Sequence, residues 1–133
     1  MSGDTTETKG PDRFSTKVWP TEIKLHKADK VLEVAFDNGE VFKYPAEYLR
    51  VESPSAEVQG HSPSQKKTVP GRRHVGIMNL DTVGNYAVRI VFDDLHDSGI
   101  FSWQYLYELG ADQDVRWANY LAALSAQGLS RDP

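Results

Sequence analysis

The sequence contains no cysteine. That excludes disulfides, thiolate nucleophiles and thiolate-held zinc or iron–sulfur clusters within this chain alone, so any metal must be held by histidine, carboxylate or a partner's ligands. Long hydrophobic runs are also missing. Nothing approaches the roughly 20 apolar residues that cross a bilayer, and Met1 to Gly10 is polar rather than a basic stretch leading into an apolar one. A cytoplasmic protein that does not enter a membrane is the expectation. There is no basic excess: 15 Lys and Arg stand against 19 Asp and Glu, a net charge of -4, which holds a polyanion poorly against salt. Nucleic acid is therefore an unfavoured partner. Glycine spacing excludes more. Gly71, Gly76 and Gly84 are too far apart for a dinucleotide fingerprint, and no His-Glu-x-x-His, calcium-loop, Ser/His/Asp or Cys/His pattern can be assembled.

What is present fits one domain: 133 residues, 39% of them hydrophobic, support one core. Residues 1–17 are polar with a single aromatic and read as a disordered arm. The domain proper is expected over residues 18–126, with 127–133 as a tail. From Thr21 to His26, Ile23 and Leu25 alternate with Glu22, Lys24 and His26, the two-residue period of a half-buried strand. Leu32, Val34 and Phe36 repeat that period after a tight Lys27–Lys30 connection. Asn38-Gly39 then suits a hairpin turn into Val41–Tyr44, so a three-stranded antiparallel meander is predicted. Pro45 stops the sheet, and Ala46 to Val51 forms one short helical turn. Two more strands are expected at Val75–Leu80 and Tyr86–Phe92. Ser102 caps a helix from Trp103 to Leu109 that ends at Gly110, and Asp112 caps a last helix from Gln113 to Ala126. The predicted fold is α+β: a mostly antiparallel sheet of about five strands with two C-terminal helices packed on it. The aromatics Trp103, Tyr105, Tyr107, Trp117 and Tyr120 fall at helical spacing and are assigned to the core.

Between the meander and the fourth strand lies a Pro-, Gly- and Ser-rich stretch, residues 52–73, of a length that in a compact domain is functional or mobile. His61 lies in it, and His96 lies in the acidic turn Asp93–Gly99. Folded together, these imidazoles with Glu57, Asp94 or Asp97 could surround a divalent cation such as zinc or iron. The plainer alternative is two histidines in polar loops, His96 bonding backbone at its turn. Lys66, Lys67, Arg72 and Arg73 make the loop basic, but without interleaved aromatics for base stacking.

The runs Trp19-Pro20-Thr21-Glu22-Ile23, Tyr44-Pro45-Ala46-Glu47-Tyr48-Leu49-Arg50, Ser53-Pro54-Ser55-Ala56-Glu57-Val58-Gln59-Gly60-His61 and Gly99-Ile100-Phe101-Ser102-Trp103 together resemble the small stand-alone bacterial relatives of the N-terminal domain of gamma-butyrobetaine hydroxylase. The resemblance spans about Val18 to Leu124. It implies a β-rich α+β unit, which in the hydroxylases carries a structural zinc held by three cysteines and a histidine, beside a separate jelly-roll domain that performs the iron and 2-oxoglutarate oxidation. No counterpart of that second domain or its iron triad is present in this chain. His96 matches the zinc histidine, whereas the segment matching the cysteines reads Glu52 to Val58 without a thiolate; His61 and Glu57 are the candidate substitutes. Related domains appended to some iron–sulfur carrier ATPases suggest a helper role in cluster or metal handling.

Three functions are expected in order. The first is a non-enzymatic accessory module that binds another protein through the 52–73 loop and the adjoining His96 turn, with Ser53, Ser55, Lys66, Lys67, Arg72 and Arg73 at the contact and a divalent metal held by His96, His61 and Glu57. The second is a small metal-dependent enzyme using His61 and His96 as ligands with Asp94 or Glu57 as general base. The third is an anion or RNA binder working through the basic loop.

Overall fold

The computed structural model describes residues 18–133; the arm expected over residues 1–17 lies outside the described residues. The chain opens with β1 (Pro20–His26), β2 (Val31–Phe36) and β3 (Val41–Pro45), paired antiparallel in that order. The Asn38-Gly39 turn closes as its sequence requires. Gly39 takes φ +91° and donates to Phe36 O at 3.0 Å, while Asn38 Oδ1 accepts from Glu40 N–H at 3.0 Å. The register Leu32↔Tyr44 and Val34↔Phe42 sends Leu32, Val34 and Tyr44 to one fully buried face.

Pro45, which cannot donate to a ladder, ends β3 and leads straight into helix α1 (Ala46–Val51). A one-turn helix α2 (Ala56–Gln59) and a 3-10 turn (Pro63–Gln65) follow. Then come β4 (Ile77–Val83), β5 (Ala87–Phe92) and β6 (Ile100–Ser102). Helices α3 (Trp103–Ala111) and α4 (Gln113–Ala126) complete the fold.

The α+β class and the two C-terminal helices stand, but the single sheet of about five strands does not. Two antiparallel three-stranded sheets are present, ordered β1-β2-β3 and β4-β5-β6. The chain leaves the first sheet at Pro45 and spends some thirty residues in helices and loop, and β4 then finds its partner in β5 rather than in the meander. The sixth strand has only three residues, too few to display a period, yet it pairs Ala87↔Ser102, Val88↔Phe101 and Arg89↔Ile100.

Both sheets contribute to one core. Leu32, Val34, Phe36 and Tyr44 from the first join Val88, Ile90, Phe92 and Phe101 from the second, with Leu106 and Leu109 of α3 between them. Tyrosine hydroxyls fix the helix: Tyr44 donates to Leu106 O and Tyr48 to Leu109 O, both at 2.7 Å and both buried. Ser102 caps α3, its Oγ accepting from Tyr105 N–H at 3.0 Å. Asp112 makes no such bond to α4. Residues 127–133 do not trail away. Arg131 makes a two-pronged ion pair with the buried Glu47 at 2.7 and 2.8 Å and lies over the Trp117 ring, while Gly71 and Arg73 N–H donate to Ser130 O and Arg131 O.

Candidate functional site

The turn between β5 and β6 positions His96. Leu95 N–H donates to Phe92 O at 3.0 Å and Phe92 N–H to His96 O at 2.9 Å, so the turn folds back on the end of β5. Asp94 Oδ1 accepts from His96 N–H at 3.1 Å, an aspartate bonding its own backbone two residues on. Its Oδ2 accepts from Arg50 Nε at 2.8 Å, and Arg72 Nε lies 2.8 Å from the same oxygen as an ion pair without hydrogen-bond alignment. Asp94 and His96 are thereby drawn inward. Leu95 between them points out, 80% exposed, at φ +73°, a region where a leucine persists only under constraint from its neighbours.

On the facing side, the chain after α1 brings Ser53 and Ser55 against the imidazole. Ser53 Oγ lies 3.0 Å and Ser55 Oγ 3.4 Å from His96 Nε2, and Glu57 Oε1 lies 3.2 Å from Nδ1. Ser98 donates to the same Glu57 oxygen at 2.6 Å. With the proton on Nδ1, held by the carboxylate, Nε2 accepts from Ser53 O–H. The ring is 8% exposed. Burial and then the Arg50 charge hold the His96 pKa below the ordinary histidine value, against the opposing pull of Glu57, Asp94 and Asp97. Burial pushes Asp94 up, but the His96 N–H, the Arg50 hydrogen bond and the Arg50 and Arg72 charges outweigh it and keep the carboxyl low. Glu57 is also lowered, chiefly by the Ser98 hydrogen bond. Gly99 is required beside this cluster because a Cβ there would collide with Ser53 Oγ.

The row Ser53, His96, Glu57 has the connectivity of a nucleophile, a base and an orienting carboxylate. Its exposure runs the wrong way for hydrolysis. Ser53 is fully buried while the Glu57 side chain is 69% exposed, so a substrate would meet the orienting acid and never the hydroxyl.

The loop is tied down rather than free. Lys67 N–H donates to Val58 O at 2.7 Å and Tyr120 O–H to Val69 O at 2.6 Å. Ser53 and Ser55, expected at a partner contact, are buried instead. Lys66 pairs with Glu52 at 2.9 Å, Arg72 with Asp94, and Arg73 with Asp132 at 2.5 Å. Only the Lys67 amine, of these four, has no pairing side chain among the described residues. His61 is exposed, its backbone N–H donating to Gln65 Oε1, and it does not join His96 and Glu57. Among the described residues no group of three His, Cys, Asp or Glu is arranged to hold a metal ion. Between loop and turn lies a hollow of about 290 Å³, bounded by Arg50, Glu57, Lys67, Val69, Pro70 and His96. Leu95, beside it, was missed by sequence reasoning; the available signal was one apolar residue inside an otherwise acidic turn.

The family model described as gamma-butyrobetaine hydroxylase-like, N-terminal, matches residues 23–107. The chain belongs to this family. A solution NMR structure of a protein 48% identical covers 86% of this chain and 90% of its own, with a TM-score of 0.75. A second NMR structure is 44% identical over 98% of this chain and 92% of its own, with a TM-score of 0.76. A crystal structure of a protein of unknown function of the DUF971 family, from Acidithiobacillus ferrooxidans, is 37% identical over 69% of this chain and 92% of its own, with a TM-score of 0.58. No curated protein matches.

The zinc implied by this family does not fit the residues present. The segment matching the cysteines presents hydroxyls, which keep their protons at neutral pH where thiolates do not. Ser53 already occupies Nε2 at hydrogen-bonding distance, 3.0 Å, whereas a zinc ion sits roughly 2.0 Å from an imidazole nitrogen. Glu57 is on the opposite ring nitrogen, so no single ion is reached by both.

Proposed function

We propose that this chain is a non-enzymatic accessory module that binds another protein through the face formed by the Leu95 turn and the adjoining hollow. The observation that carries it is Leu95: a large apolar side chain 80% exposed, held out on a turn whose flanking residues are locked by buried bonds. A pre-ordered apolar anchor loses little entropy on docking, which is how a few interface residues come to dominate affinity. The hollow beside it has room for a side chain of the partner and offers Lys67 as a cation for an acidic neighbour. The enzyme reading is disfavoured by the inaccessible Ser53 hydroxyl and the scattered ligand set. The RNA reading is disfavoured by the pairing of Lys66, Arg72 and Arg73 within the chain, which leaves no run of free cations for a polyanion.

A photo-crosslinking amino acid at position 95 is expected to capture one defined protein in cells, and a second crosslinker at the distant, exposed Val41 is not. The purified partner should bind the wild-type chain at least about tenfold more tightly than Leu95→Asp. Equal affinity of the two would refute the assignment of this face.

A further inference from the structure

A second hollow, about 560 Å³, lies on the other side of the loop, between the end of α1, residues 66–68 and the exposed side of α4. We propose that it is a binding site for a small organic anion, a carboxylate or phosphate monoester carrying a compact apolar body. Its volume falls in the range of small-ligand sites, and its walls combine an apolar part, Val51, Tyr120 and the exposed Val115, with a few polar groups.

The polar groups have donor capacity to spare. Lys66, Lys67 and Arg116 face two carboxylates, Glu52 and Asp112. Glu52 Oε1 serves both Lys66 at 2.9 Å and Arg116 Nη1 at the 3.5 Å limit. The Lys67 amine has no pairing side chain among the described residues, and the Arg116 guanidinium, part-exposed at the rim, reaches Glu52 only at 3.5 Å. Asn119 also lines the hollow, and its amide makes no hydrogen bond among the described residues. One acceptor-rich anion placed among these groups would satisfy donors that the chain leaves unmet, while Tyr120 and Val115 cover its apolar part.

The test uses the full chain, labelled with ¹⁵N, titrated at constant ionic strength with phenyl phosphate and with benzoate as probes and benzyl alcohol as the neutral control. Either anion should give saturating amide shifts confined to residues 51–52, 66–68 and 112–123, with a dissociation constant of about 1 mM or below. The control should not. Lys67→Ala/Asn119→Ala, which removes no intramolecular ion pair, should weaken the anion by at least about fivefold. Arg116→Gln, checked for folding by its spectrum, should weaken it further. No saturation by either anion up to ~20 mM, shifts of equal size from benzyl alcohol, or undiminished binding by the double variant would each overturn the site.

Discussion

The two halves of the long loop spend their polar groups differently. In residues 52–58, Glu52, Ser53 and Ser55 are turned inward and buried, and the two serines close on His96. Residues 66–73 lie on the surface, and the charges of Lys66, Arg72 and Arg73 are matched to Glu52, Asp94 and Asp132. Ser53 and Ser55 are structural, and the basic residues other than Lys67 are neutralised. Among the side chains that loop and turn leave for the outside, Leu95 is the exposed apolar one and Lys67 is a cation with no pairing side chain among the described residues. Polar residues in a long loop therefore do not by themselves mark a binding surface; their bonding partners decide.

The sharpest way to break the comparison is to remove the imidazole. His96→Ala removes the Nε2 acceptor nearest the Ser53 hydroxyl and leaves a void in a buried site, and urea unfolding should report a loss of about 2–4 kcal/mol. A loss below ~0.5 kcal/mol would mean that the inward half is no more bonded than the outward one.

How much of this was legible beforehand depends on the range of the interaction. The Asn38-Gly39 turn and the Ser102 cap are local chemistry, and both were readable. The helix from Gln113 to Ala126 was found from its periodicity, although the Asp112 cap expected for it does not form. The three-residue β6 carried too little pattern, and the division into two sheets rests on pairings between distant strands. His96 stood out in its turn. Its partners did not, because they come from 41 and 43 residues away and a serine hydroxyl leaves no pattern in sequence. The same holds for residues 127–133, whose pairing with 71–73 and Glu47 could not be inferred from composition.

A second test removes the clamp on the outward half. Arg131→Ala breaks the two-pronged pair with Glu47 and leaves that carboxylate, 6% exposed, without its guanidinium; a loss of about 1–3 kcal/mol is expected, with faster amide exchange at Gly71 and Arg73. Acid offers a probe without mutation. A histidine whose folded pKa lies below its unfolded value contributes full stability above about pH 6.5, and that contribution declines as pH falls from there toward the folded pKa. Wild type should lose more stability than His96→Asn between pH 7.5 and 5.5, measured by parallel urea titrations; equal losses would remove His96 as the sensor.

The smallest effects belong to the surface. Lys67→Ala should change stability by less than about 0.5 kcal/mol. Leu95→Gly should gain about 0.5 kcal/mol by relieving the positive φ, while losing partner binding. A destabilised Leu95→Gly would show that this leucine serves the fold rather than a partner.

The most direct test of the buried cluster as a metal-free support for the docking turn is the tautomer of His96, read from its ring ¹⁵N shifts at pH 7 before and after one equivalent of zinc. The prediction is a neutral ring protonated on Nδ1, with Nε2 unchanged by zinc and a titration midpoint below 6.5. A ring protonated on Nε2, or a zinc-dependent shift of Nε2, would contradict it.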